Sequence, residues 1–210
     1  MMFKITLKSM RVIFLFKGCF TISLFFYGVI HMETRILNRN NLFHGHIFNV
    51  ENVQLELPDH RNRNYELVNH RDSVTIVPVT DSHKILFVSQ YRIGAEQDLL
   101  ELPAGVIESN ETPKECAARE IREEVGMTAG DLYLLGSCYL APGYCTELNY
   151  MFLAQKLSPS PLQPDDDEFL NIVAMPIDEV FQKALGGYLK DSKSLAALFL
   201  SQSIIQNHPD

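Results

Sequence analysis

The segment GVIESNETPKECAAREIREEVGM, from Gly105 to Met127, gathers Glu111, Glu120, Glu123 and Glu124 around Arg119, with Gly105 at its start and Gly126 near its end. Thr112-Pro113-Lys114-Glu115 predicts a helix start: a threonine cap, a proline in the first turn and a glutamate three residues after the cap. Gly126 predicts the stop. At about 100° per residue, Glu120, Glu123 and Glu124 share one face, while Ala118, Ile121 and Val125 form an adjacent oily face that buries against a sheet. Carboxylates this close repel one another, so the acidic face calls for a cation. Taken alone, however, the helix reads better as a solvated surface helix of good helix formers.

The flanking sequence predicts short strands and then an alternation of strands and helices. Asn49 to Pro58 and the NYELVNH run ending at His70 form a hairpin about a Pro58-Asp59 turn. Ser73 to Val79 and Lys84 to Arg92 are β-branched, apolar runs separated by Thr80-Asp81-Ser82-His83, and predict a second, more deeply buried hairpin. LYLLGSCYL, LNYMFLAQKL and FLNIVAMP predict three later strands, followed by helices from about Ile177 and about Ser192. The mixture indicates an α/β or α+β sandwich. No internal repeat is present, and SPSPLQPDDDE is a proline-rich acidic loop.

Composition sets limits on function. The 210 residues, 46% hydrophobic and 21% charged, suffice for one globular domain with attachments. Fourteen of the 18 lysines and arginines and all 26 acids lie beyond residue 30, a formal charge of −12 that disfavours nucleic acid as a partner. Four cysteines without C-x-x-C spacing are read as reduced thiols rather than a disulfide framework. His44 and His46 lack a third ligand for zinc.

Residues 1–31 form a basic, apolar leader whose uninterrupted run from Gly18 to Ile30 is shorter than the ~20 residues that span a bilayer. The expected start of the functional chain is Met32, with a membrane anchor over residues 12–30 as the alternative. The first reading implies a cytoplasmic protein without stable membrane association.

The opening segment matches G-x5-E-x7-R-E-U-x-E-E-x-G-U, where U is apolar, at nine positions over 23 residues: Gly105, Glu111, Arg119, Glu120, Ile121, Glu123, Glu124, Gly126 and Met127. It resembles the Nudix box. Gln90-Tyr91-Arg92, Leu100-Glu101-Leu102-Pro103-Ala104-Gly105 and Ala141-Pro142-Gly143-Tyr144, with Pro142 sixteen residues after Gly126, are similar to the ADP-ribose pyrophosphatase branch of that family. The resemblance runs from Met32 to the last helix and does not touch residues 1–31.

The resemblance implies a Nudix α/β/α sandwich with a mixed sheet over residues 73–210, preceded by a small antiparallel β segment, residues 32–72, that serves a homodimer. It implies Mg2+ as cofactor, two or three ions with Mn2+ as a substitute, and hydrolysis of a nucleotide-sugar pyrophosphate, ADP-ribose to AMP and ribose 5-phosphate. Glu120, Glu124 and Glu123 are the implied metal ligands with the Ala104 carbonyl, while Gly105, Glu111, Arg119 and Gly126 hold the box together. Arg92 and Glu101 are implied substrate contacts; for Glu101 a salt bridge with a basic neighbour is the alternative. The acidic run 165–168 stands where the branch keeps a catalytic carboxylate, Glu168 ahead of Asp166, with Glu123 as a further candidate. Phe43 or Phe48 can stack on a base, and core packing is preferred for both. The other activities to weigh are GDP-mannose hydrolysis and a non-catalytic ADP-ribose-sensing module.

Overall fold

The computed structural model describes residues 33–163 and 170–207. The leader of residues 1–31, the anchor reading and the loop acids Asp166 and Glu168 lie outside the described residues. Among the described residues, no helix is long and apolar enough to cross a membrane.

The architecture is α+β, with three sheets and helices on both faces of the central one. The first sheet is a meander of β1 (Arg35–His44), β2 (Phe48–Glu56) and β3 (Asn62–His70). The expected hairpin is β2 with β3, in continuous register from Phe48 opposite His70 to Glu56 opposite Asn62. β1 lacks alternating apolar residues, and all ten of its residues are exposed.

Four strands form the mixed central sheet in the order β7-β4-β9-β8: β7 (Ala104–Val106), β4 (Ser73–Pro78), β9 (Leu148–Pro159) and β8 (Met127–Tyr139). A third sheet, β10-β5-β6, holds β10 (Asn171–Pro176), β5 (Lys84–Arg92) and β6 (Gln97–Glu101). The second predicted hairpin is therefore not formed. β4 lies parallel to β9 and antiparallel to β7, whereas β5 pairs with β6 and β10. Only the base of the intervening turn is bridged, by Val79 with Ile85 and by the Thr80 N–H on the Lys84 carbonyl. A strand buried along its whole length, as β4 is, needs partners on both edges and cover on both faces, and α1 (Pro113–Glu124) and α3 (Ser192–Asn207) supply the cover here. β5 is buried on both sides in the same way: Ile85 and Phe87 join one apolar cluster with Val77, Leu86 and Val88 the other with Val74 and Ile76.

The first cluster lies under α2 (Ile177–Leu185) and α3 (Ser192–Asn207), and the second under α1 (Pro113–Glu124). α1 begins with the expected capping box: the Thr112 hydroxyl accepts from the Glu115 N–H, and the Glu115 carboxylate accepts from the Thr112 N–H at 2.8 Å. It ends before Gly126, whose φ of 71° lies in the left-handed region that favours glycine. The buried stripe of α1 is Cys116, Ala117 and Ile121, with Val125 just beyond it; Ala118 is exposed, contrary to the sequence expectation. Glu120 and Glu124 are also buried, and the stripe is centred on them. At about 100° per residue Ala118 lies some 200° around from Glu120, while Ala117 lies within 60°.

Candidate functional site

Between the second and third sheets the chain crosses at Glu101-Leu102-Pro103-Ala104, joining β6 to β7. Proline suits the crossing because it offers no N–H that would go unpaired there. Its carbonyl accepts from the Ile76 N–H at 2.8 Å, fixing the crossing to β4. The Ala104 N–H then donates to Glu124 Oε2 at 2.9 Å. At the next residue, a Cβ on Gly105 would lie 1.8 Å from Glu120 Oε1, so only glycine lets the strand seat against that carboxylate. Glu120 and Glu124, 7% and 5% exposed, thus face the same two residues of backbone.

Arg119 compensates the acids around it. Its Nε and Nη2 form a fork on Glu111, both at 2.9 Å, and its Nη1 donates to Glu120 at 2.6 Å and Glu123 at 2.8 Å. The Glu111 hydrogen bonds raise the guanidinium's pKa further above its already high value, against the opposing effect of burial. Reciprocally, Arg119 holds the Glu111 carboxyl below its usual range. Burial, then Glu120 and Glu111, push the Cys116 thiol up, so this cysteine stays protonated in the wall of the site.

Arg92 and Glu101, both expected at the substrate, meet each other. Arg92 grips Glu101 through Nε at 2.8 Å and Nη2 at 2.7 Å, and Lys193 Nζ adds a third contact at 2.5 Å. Glu101 is only 1% exposed. Burial pushes its carboxyl up, but hydrogen bonds and charge from Arg92 and Lys193 outweigh that effect and leave it below its ordinary value. Lys193, Asp191 and Ser194 at the start of α3 were not found from sequence. Lys193 and Ser194 lie about 90 residues from the loop they touch, and no local pattern joins the two. Phe43 and Phe48 are about half exposed and 6.5 Å apart at their ring centroids, so neither is a core residue.

Carboxylate oxygens are the hard donors that suit a divalent cation such as Mg2+, which commonly takes one or two protein carboxylates and completes its shell with phosphate and water. Glu120 and Glu124 supply such a pair, cradled by the Ala104 and Gly105 backbone, so the donor chemistry fits. Among the described residues, no group of three or more His, Cys, Asp or Glu side chains stands at ligating spacing.

Residues 69–198 match the NUDIX domain family model. The chain is 30% identical over 169 residues to an ADP-ribose pyrophosphatase of Bacillus subtilis (strain 168), covering 80% of this chain and 91% of that protein. It is 34% identical over 167 residues to the ADP compounds hydrolase NudE of Escherichia coli (strain K12), covering 79% and 89%. A crystal structure of an ADP compounds hydrolase superposes with a TM-score of 0.77 at 30% identity, covering 85% of this chain and 97% of the other.

Gly105→Ala isolates the contact behind Glu120. The clashing atoms are the end of a flexible side chain, so the variant is expected to fold with a loss of about 1–3 kcal/mol. Glu120 must swing away, and divalent cation binding measured by calorimetric titration should weaken about tenfold or more. Wild-type affinity in this variant would show that the close approach does not serve the carboxylate.

Proposed function

The chain belongs to the NUDIX family of pyrophosphohydrolases, and on that premise we propose that it hydrolyses the pyrophosphate bond of ADP-ribose, giving AMP and ribose 5-phosphate with Mg2+ as the working cation. The observation that carries this reading is the buried pair Glu120 and Glu124 seated on the Ala104-Gly105 backbone. The names of the Bacillus subtilis and Escherichia coli relatives support an ADP-containing substrate.

In the reaction, water adds to one phosphorus while the bond from that phosphorus to the bridging oxygen breaks, and the bridging oxygen leaves with the other phosphate. The residues that would hold the cation are Glu120 and Glu124, with Glu123 and the Ala104 carbonyl as further donors. A cation bound there supplies positive charge to the phosphate oxygens and lowers the pKa of water. Arg119 orients Glu120 and Glu123 and, through its fork on Glu111, ties the loop before α1 to the helix. Arg92 spends two of its nitrogens on Glu101, which leaves its planar, permanently charged head aimed by a rigid partner. We assign it to the substrate phosphates, with Glu101 holding it in place. Glu168, with Asp166 as second choice, is proposed as the carboxylate that takes the proton from the attacking water, on its place in the sequence alone.

Residues 32–72 are proposed as a dimerisation segment. Ile36, Leu42, Phe43 and Ile47 are all more than half exposed on β1 and the turn after it, and an edge strand paired on one side only, with apolar side chains, is a surface that proteins normally cover. A second copy of the chain is the proposed cover. Sedimentation equilibrium should give roughly twice the 23.9 kDa of one chain; a monomer at micromolar concentration would contradict it.

The hydrolytic reading is tested by incubating the protein and its Glu124→Gln variant with Mg2+ and ADP-ribose, GDP-mannose or nucleoside triphosphates, and identifying the products. AMP and ribose 5-phosphate should form fastest from ADP-ribose. Glutamine retains an oxygen to accept the Ala104 N–H but lacks the charge, so the variant should fold while kcat falls at least about 100-fold, the equivalent of about 2.7 kcal/mol of lost charge stabilisation. Faster cleavage of GDP-mannose would reassign the substrate. Tight binding of ADP-ribose without turnover would favour a sensing module.

A further inference from the structure

Five consecutive residues at the crossing are held between them by β5, α3, β4 and α1. Glu101 is gripped by Arg92 and Lys193. The Leu102 N–H donates to Ser194 Oγ at 2.8 Å, and Leu102 is fully buried. The Pro103 carbonyl is held by β4, the Ala104 N–H reaches Glu124, and Gly105 backs Glu120. One end of this strip is therefore bound to α3 and the other end bears on the two buried carboxylates of α1.

The α3 end has a defined polarity. Asp191 accepts from the Ser194 N–H at 3.0 Å and from the Ser194 hydroxyl at 2.5 Å. Because that hydroxyl spends its only hydrogen on Asp191, a lone pair is left for the Leu102 N–H. Lys193 Nζ bridges Glu101 and Asp191, at 2.5 and 2.9 Å. Arg92 and Lys193 thus balance Glu101 and Asp191 in a network that is charge-neutral and mostly buried. Such a network is rigid when every member is satisfied.

We propose that Ser194 and Lys193 are positioning residues for the cation site, setting Glu124 and Glu120 through the strip from Glu101 to Gly105. The proposal rests on the reading of Glu120 and Glu124 as the cation-holding pair. It extends the site to a helix whose first residue lies 68 positions beyond the last of α1. Removing the Ser194 hydroxyl leaves the buried Leu102 N–H without its acceptor, so the strip relaxes, and Ala104 two residues on carries the displacement to Glu124. Removing the Lys193 ammonium leaves Asp191 and Glu101 facing one another without their shared cation.

The test is Mn2+ binding to the full chain, followed by the electron paramagnetic resonance signal of the free ion, for wild type, Ser194→Ala and Lys193→Met, with folding checked by circular dichroism. Weakening of Mn2+ binding by about tenfold or more in folded Ser194→Ala is the expected result, in the range seen when groups supporting a metal ligand are removed. A lower melting temperature with unchanged Mn2+ affinity would mark Ser194 as merely structural and overturn the proposal. If Ser194→Ala does not fold, Lys193→Met carries the same comparison with the same two outcomes. A wild type that binds no Mn2+ would also overturn it. A wild type that binds Mn2+ but cleaves no nucleotide sugar, with weakened binding in the variants, supports the inference while removing the substrate reading.

Discussion

Three carboxylates, Glu111, Glu120 and Glu123, share the guanidinium of Arg119, and the geometry of the site depends on that arrangement. One positive charge among three negative ones leaves a net negative surplus. A surplus of this kind is unfavourable in a partly buried setting unless a further cation neutralises it. Arg119 is suited to the task by its shape, because a planar fork can serve Glu111 through two nitrogens and still present a third to Glu120 and Glu123. The box is thereby held in an arrangement that is stable enough to fold yet remains attractive to a divalent ion.

The second constraint is the crossing from Glu101 to Gly105. It is where the chain leaves one sheet for another, so its backbone groups cannot be satisfied by regular strand pairing alone. The Leu102 N–H, the Pro103 carbonyl and the Ala104 N–H are instead matched to partners from α3, β4 and α1. The same residues that join the sheets therefore present a backbone N–H to Glu124 and a surface without side chain to Glu120. Architecture and site therefore use one strip of chain.

What was legible in the sequence was local. Thr112, Pro113, Glu115 and Gly126 specify a helix and its ends over fifteen residues, and the structure contains the capping box and the left-handed glycine. The nine positions of the motif identify the family because they too lie within one continuous segment. Strand partners were less legible, since β4 and β5 look like a hairpin by chemistry and spacing but are each claimed by more distant strands. The phase of α1 was misjudged by one alanine because the carboxylates were expected on a wet face, and burying Glu120 and Glu124 turns Ala117 inward and Ala118 out. β1 gave no signal, since its apolar residues come as adjacent pairs, Ile36-Leu37 and Leu42-Phe43, and lack the alternation that marks a half-buried strand. The contacts of Lys193 and Ser194 with the crossing have no local signature at all and could be found only from the fold.

The central claim is that the buried pair Glu120 and Glu124 is a site for a hard divalent cation. Thermal unfolding with and without Mg2+ tests it without reference to any substrate. A ligand that binds only the folded state at about 100 times its dissociation constant stabilises it by about 2.7 kcal/mol, enough to raise the melting temperature of a chain this size by several degrees. The wild type should show that rise and Glu120→Gln should lose it. An unchanged melting temperature in the wild type at saturating Mg2+, or the same rise in Glu120→Gln, would contradict the account.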